Sequence, residues 1–321
     1  MKRIFIIAAM FLLLANTVWA TGKGEAAVSD WPKKAVQIIV PFSPGGDSDF
    51  NGRAYQARLE EFLGQPVVVT NINGNNGQVG AMQVKNSAPD GYTILLWHSG
   101  MFVSKAAGAT DLTLDSFEIP IVAGKDGGYA ICVNGKSPYT DLKSLMDASR
   151  AAPDKLTMGI GSYGTTHVMA ILLNKAGGKF KLVDVGGAAD RTKALLGAHV
   201  DAIPTPLGAA VPYAKSNDYR ILAVVGEERN AVYKDVPTAI ESGYKGVSFT
   251  VYYFFAFPKG TPQAIVSKFA EACRKVYEKP DYRASIQETF QQSPFFMMGD
   301  EAVKFLSKQE SEMMALSDAL K

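Results

Sequence analysis

Strand-like and helix-like segments take turns along this chain, and that ordering limits its fold more than any other feature. Residues 35–42 (AVQIIVPF) form a β-branched, apolar run suited to a buried strand. Ser43-Pro44-Gly45-Gly46 interrupts the run, and residues 49–63 then place Phe50, Ala54 and Ala57 at helical spacing. Gly64-Gln65-Pro66 ends that helix, first by removing a side chain and then by removing an amide donor. A strand follows at 67–70, then a loop at 71–80 with four Asn and three Gly. A short helix over 81–86 and a strand over 92–97 complete this part. Strands separated by helices argue for a parallel sheet in an α/β fold.

The pattern restarts after about residue 124. Strands are expected at 130–133, 155–159, 181–185, 200–204 and 220–225, with helices at 142–151, 166–175 and 190–196. Residues 250–257 are strongly β-prone, and 262–278 and 301–321 return to helix. A chain of 321 residues has room for two such units. There is no repeat period.

The first residues read as an export signal. Lys2 and Arg3 precede an apolar run over 4–15, too short for the roughly 20 residues that span a bilayer. Val18-Trp19-Ala20 supplies small residues at a cleavage site, so 1–20 is expected to be removed, with 21–30 as a flexible leader. The 33 basic residues less Lys2 and Arg3 leave 31 against 31 acidic ones. A neutral exported chain has no electrostatic case for binding nucleic acid or a membrane surface. Cys132 and Cys273 lie in apolar segments and read as two buried thiols, although a bridge between them stays open.

Two strand–turn–helix units could carry chemistry: Pro41-Phe-Ser-Pro-Gly-Gly-Asp-Ser-Asp49 and Gly159-Ile-Gly-Ser-Tyr-Gly-Thr-Thr-His167. A helix N-terminus offers unpaired N–H groups and a partial positive charge, and glycine lets a ligand come close to them. Two such turns facing each other would clasp a small anion with no Lys or Arg. The plainer reading is a pair of ordinary capped turns. Asp49 reads as the N-cap of the first helix. Asp47 suits an anion poorly, so it is expected to point to solvent, or else to meet a cationic part of the ligand.

Gly159, Gly161 and Gly164 also fit G-x-G-x-x-G, with Asp184 twenty residues beyond where a ribose-binding acid would sit. That would make the chain a dinucleotide-dependent oxidoreductase, a reading opposed by the export signal. The nucleophile-elbow pattern fails because Ile160 precedes Ser162 at two residues, and H-E-x-x-H, C-x-x-C and P-loop patterns are missing from the sequence. His98 and His167 could line a cleft, His199 reads as surface, and no metal set or cofactor is expected. The aromatic clusters at 252–255 and 295–298 read as core.

Taken together, the segments IIVPFSPGGDSDF (38–50), LGQPVVVTNINGNNGQVGA (63–81), APDGYTILL (88–96), GIGSYGTTH (159–167), GAHVDAI (197–203), KDVPTAIESGY (234–244) and FAFPKGTP (255–262) resemble the extracytoplasmic receptors of tripartite tricarboxylate transporters, the Bug family. The resemblance implies an α/β, two-lobed periplasmic-binding-protein (flytrap) fold with two mixed sheets and a two-strand hinge. Domain 1 would hold 31–126 and 255–321, and domain 2 would hold 127–254. It implies no enzyme, a monomer, a small organic acid as ligand, and membrane subunits as partners; a sensor kinase is the alternative recipient. The first turn would bind through Phe42, Ser43, Gly45, Gly46, Ser48 and Asp49, with His98 and Ser99 nearby. The second would bind through Ser162, Tyr163, Gly164, Thr165, Thr166 and His167, joined by Gly186, Asp201 and Thr205. Three places depart from the family pattern: Asp47 after the two glycines, Asn71-Ile-Asn in the loop, and Trp97-His98 at the strand end.

Overall fold

The computed structural model describes residues 30–320, so the expected signal segment and all but the last residue of the leader lie outside the described residues. Among the described residues no helix is long and apolar enough to cross a membrane. The described residues form eleven strands, divided between two sheets. The first sheet has the parallel strands β1 (Val36–Val40), β2 (Val67–Asn71) and β3 (Thr93–His98), followed by antiparallel β10 (Tyr252–Pro258), β4 (Phe117–Lys125) and the short edge β11 (Met297–Met298). The second sheet runs in the order β7-β6-β8-β5-β9, from β5 (Tyr129–Asn134), β6 (Thr157–Ile160), β7 (Lys181–Asp184), β8 (Ala202–Pro206) and β9 (Tyr219–Val225). Here β6, β7 and β8 are parallel, and β5 runs antiparallel to β8 and β9.

The alternation by itself argued for parallel sheets, and both sheets are mixed. The antiparallel members are the strands through which the chain passes from one sheet to the other, β4 into β5 and β9 into β10, without a helical crossover. Strand β4 carries Pro120, which cannot donate to the ladder, and the register against β10 shifts between Phe255 and Phe257, alongside that proline. Helix α7 (Leu207–Lys215) holds Pro212 in its interior, which hides it from pattern reading.

Aromatic packing anchors the first sheet to its helices. Tyr55 lies edge-on to Phe255 at 5.3 Å, and Phe269 meets Phe255 at 5.1 Å and Phe257 at 5.3 Å. All four rings are fully buried, each contributing about 1.5–3 kcal/mol by leaving water. Residues 253–255 are core, as their composition implies, while Tyr252 is half-buried. Both cysteines are buried free thiols.

The carboxyl ends of β1 and β6 open into the two glycine-rich turns, the usual place for ligands in an α/β sheet. Residues on the first-sheet side reach the second turn. Asn76 donates from its side chain to the Ser162 carbonyl, and Ser104 Oγ donates to the Tyr163 carbonyl at 2.9 Å.

Candidate binding cleft

The first turn starts its helix earlier than its sequence suggests. Helix α1 (Asp47–Leu63) has Gly46 as its extended N-cap, with no side-chain cap. Asp49 is therefore not the N-cap but sits in the first helical turn. Its carboxylate reaches back to accept the Gly45 N–H at 3.0 Å, which holds Gly45 in the left-handed region (φ 85°). Arg53 Nε and the Asn71 side-chain amide also donate to it. Burial works to raise the Asp49 pKa, but hydrogen bonds from Arg53, Gly45 and Asn71 outweigh it and hold it below the ordinary value. Asp49 thus braces the turn and has little left to offer a ligand. Ser48 is different: it is buried, and its hydroxyl has no partner.

Asp47 does not point to solvent. Its Oδ2 accepts the Tyr253 hydroxyl at 2.7 Å and the Tyr129 hydroxyl at 3.1 Å, while Oδ1 accepts the Ser48 N–H. Tyr253 belongs to the first sheet and Tyr129 to the second, so this carboxylate lies between them. The reason is tertiary: β10 returns to pair with β3 and brings a phenol to the turn from 206 residues away. Two acids in the first turn of α1 also offset the positive end of that helix.

The second turn leads into helix α5 (Thr165–Lys175), capped by extended Gly164, and its first turn holds no acid. Gly161 N–H donates to Thr166 Oγ1 at 3.0 Å, which shapes the loop from inside. Tyr163 adopts φ 63° and is exposed; its N–H donates to His167 Nδ1, and the two rings meet at 6.1 Å. Tyr163 and His167 therefore support the outer side of the turn. Thr165 is buried. Thr205 is also buried, pairing with Ala130 at the cleft end of β8. Asp201 is not in the cleft. It binds the Thr157 N–H and hydroxyl, each at 2.7 Å, at the opposite end of β6 from the turn.

One cation was missed. Arg191, on helix α6 (Ala188–Leu196), is buried with its Nη1 donating to the Gly186 carbonyl at 2.8 Å. Its Nε has no partner, and among the described residues no carboxylate lies within ion-pair distance. A Cβ on Gly161 would lie 3.4 Å from Nη1, so the guanidinium rests against the second turn. Burial lowers the Arg191 pKa, and Tyr129, Asp47, Tyr219 and Asp184 oppose that. The sequence does hold a signal for this residue: Arg191, Ala194 and Leu195 share one face at i, i+3 and i+4, and an arginine on an apolar stripe needs a reason.

On the first-sheet side, His98 is buried and stacks on Phe42 at 4.7 Å, with Tyr253 edge-on at 6.0 Å. Its Nδ1 accepts the Gly100 N–H, leaving Nε2–H as the donor. Ser99 is spent on the backbone of Tyr252, which it meets as donor and acceptor. The exposed His199 takes no part.

The model of the tripartite tricarboxylate transporter family receptor matches residues 52–320. The chain belongs to this receptor family. A protein from the gbd 5′ region of Cupriavidus necator is 30% identical over 301 residues, covering 92% of this chain and 90% of that one. A solved periplasmic transporter structure shares 27% identity with a TM-score of 0.83, covering 90% of this chain and 97% of the other. The periplasmic binding protein BugD shares 25% identity with a TM-score of 0.81, covering 90% and 98%. The receptor therefore has the two-lobed flytrap fold, with its two mixed sheets as the lobes.

Where the receptor's chain first passes between sheets, Asp126 is buried. Its N–H donates to the Val251 carbonyl, and its carboxylate accepts the N–H groups of Val251 and Gly128. Burial pushes Asp126 up to about 7 and His98 down to about 4. The two groups act in opposite senses. Folded Asp126 keeps a proton that the unfolded chain sheds, so its contribution is full below about 4 and is lost as pH rises through about 7. Folded His98 refuses a proton that the unfolded chain takes, so its contribution is present above about 6.5 and is lost as pH falls through about 4. Asp126→Asn should remove the first effect alone. Urea denaturation of the variant should then show stability climbing from pH 4.5 to 6.5 more steeply than in the wild type. Identical slopes would contradict the assignment.

Proposed function

We propose that this receptor is periplasmic, captures a small organic carboxylate between its lobes, and delivers it to membrane subunits of a tripartite transporter. Arg191 is the observation that carries the reading. It is a buried cation with no carboxylate partner among the described residues, set against a helix N-terminus that holds no acid in its first turn. A desolvated arginine beside the positive end of a helix makes an anion site. The lobes would be 31–126 with 255–321, and 127–254, with the passages around Asp126 and Val251 as the hinge. Ligand bonds to both lobes would favour the closed form by differential affinity, with no covalent step.

The test is a panel of mono- and dicarboxylates read by shift in melting temperature and by calorimetry, with turnover monitored in parallel. Saturable stabilisation without turnover is expected. Gly46→Val gives a companion prediction. An added Cβ at Gly46 meets nothing closer than the Ser43 carbonyl at 3.9 Å, and the backbone there is extended, so the unliganded protein should melt normally. The larger side chain would stand at the mouth of the first turn and lower affinity by at least about tenfold, a cost near 1.4 kcal/mol. Wild-type affinity in this variant would remove the first turn from the site.

A further inference from the structure

Two opposite charges in the cleft, Arg191 and Asp47, have no ion-pair partner among the described residues. Arg191 lies on the second-sheet side, and Asp47 lies at the junction of the two sheets. Asp47 is held by two phenols and not by a cation. Beside it, the Ser48 hydroxyl is buried and unpartnered. A simple dicarboxylate would satisfy Arg191 but would meet Asp47 as a like charge in a partly desolvated space, which is unfavourable. We infer that the ligand is a zwitterion of the amino-acid class, its carboxylate directed to Arg191 and the second turn and its ammonium group to Asp47 of the first. The inference rests on the carboxylate-receptor reading and adds the cationic half.

The geometry suits this division. The two tyrosine hydroxyls donate to Oδ2 and Ser48 N–H donates to Oδ1, which fixes the carboxylate in place and leaves Oδ1 with acceptor capacity for one more donor. Tyr129 is a strand residue of the second sheet, so its bond brings Asp47 to the lobe that carries Arg191. The helix ends divide the same way: acids occupy the first turn of α1, and none occupies that of α5.

Matched ligand pairs that differ only in the amino group test this: L-aspartate against succinate and L-glutamate against glutarate, titrated by calorimetry into wild type and Asp47→Asn. The wild type should prefer at least one amino acid over its des-amino partner by roughly ten- to a hundredfold, the size of one charge-assisted hydrogen bond. In Asp47→Asn that ratio should collapse towards one through loss of amino-acid affinity. Equal wild-type affinity within both pairs overturns the inference while the carboxylate reading survives, and this measurement needs no variant. If Asp47→Asn tightens both members of a pair by the same factor, Asp47 is a latch that mimics an anion, and the inference also falls. If no member of any pair binds, and no other carboxylate does, the carboxylate reading falls first.

Discussion

Arg191→Met should abolish measurable carboxylate capture while the protein stays folded. Methionine fills a similar elongated volume and leaves the apolar face formed with Ala194 and Leu195 intact. What it removes is a buried guanidinium with one hydrogen bond, to the Gly186 carbonyl, and an unpartnered Nε. Truncating one side of a buried charge pair costs about 2–5 kcal/mol in binding, or roughly thirty- to several-thousandfold in affinity. The unliganded protein should lose nothing comparable, because an unpaired buried charge is itself destabilising. The expected signature is therefore an unchanged or raised melting temperature without ligand, together with loss of the ligand-induced shift. A variant that bound its ligand with wild-type affinity would remove Arg191 from the site and, with it, the main support for the carboxylate reading.

The second large effect is expected at the passage between the sheets. A Cβ on Gly127 would lie 1.7 Å from the Gln291 carbonyl oxygen and 2.6 Å from its carbon. Backbone cannot yield as a flexible side chain can, so Gly127→Ala must push the two segments apart. The Asn230 side chain ties those segments together, donating to the Gly127 carbonyl at 2.9 Å and to the Gln291 carbonyl at 2.7 Å. Overpacking of about 1–3 kcal/mol corresponds to a melting temperature lower by roughly 3–10 °C. Gly187→Ala is the control: its added Cβ meets only Asp190 Oδ2, at 3.7 Å, and it should melt as the wild type does. Equal melting of both variants would mean that residue 127 repacks freely.

Most elements were legible because they are local. Helix α4 (Leu142–Ala151) coincides with its expected span, and Asp141 caps it by accepting the Ser144 N–H. The strand before the first turn was marked by a β-branched run, and glycine follows or ends the strand before each turn. Among the missed elements, β4 and α7 carry Pro120 and Pro212 in their interiors, where tertiary packing overrode what those residues signal locally; the helices Gly100–Ala106 and Pro280–Phe290 and the short β11 were missed as well. The direction of the sheets was only half legible, because helices between strands speak for parallel pairing and say nothing of where the chain changes sheet.

The site divides in the same way. Sequence alone determined that two glycine-rich turns would open helices, that both would stand at strand ends, and that Asp47 was out of place on an anion site. Tertiary structure decided the rest. It turned Asp47 inward, because Tyr253 arrives from 206 residues away and Tyr129 from the other sheet. It buried Arg191 against Gly161 and left Asp201 at the wrong end of its strand. A local pattern states which residues can share a face of a helix or strand. The charge a cleft presents depends on which distant side chains meet there, and that is set when the two sheets close on each other.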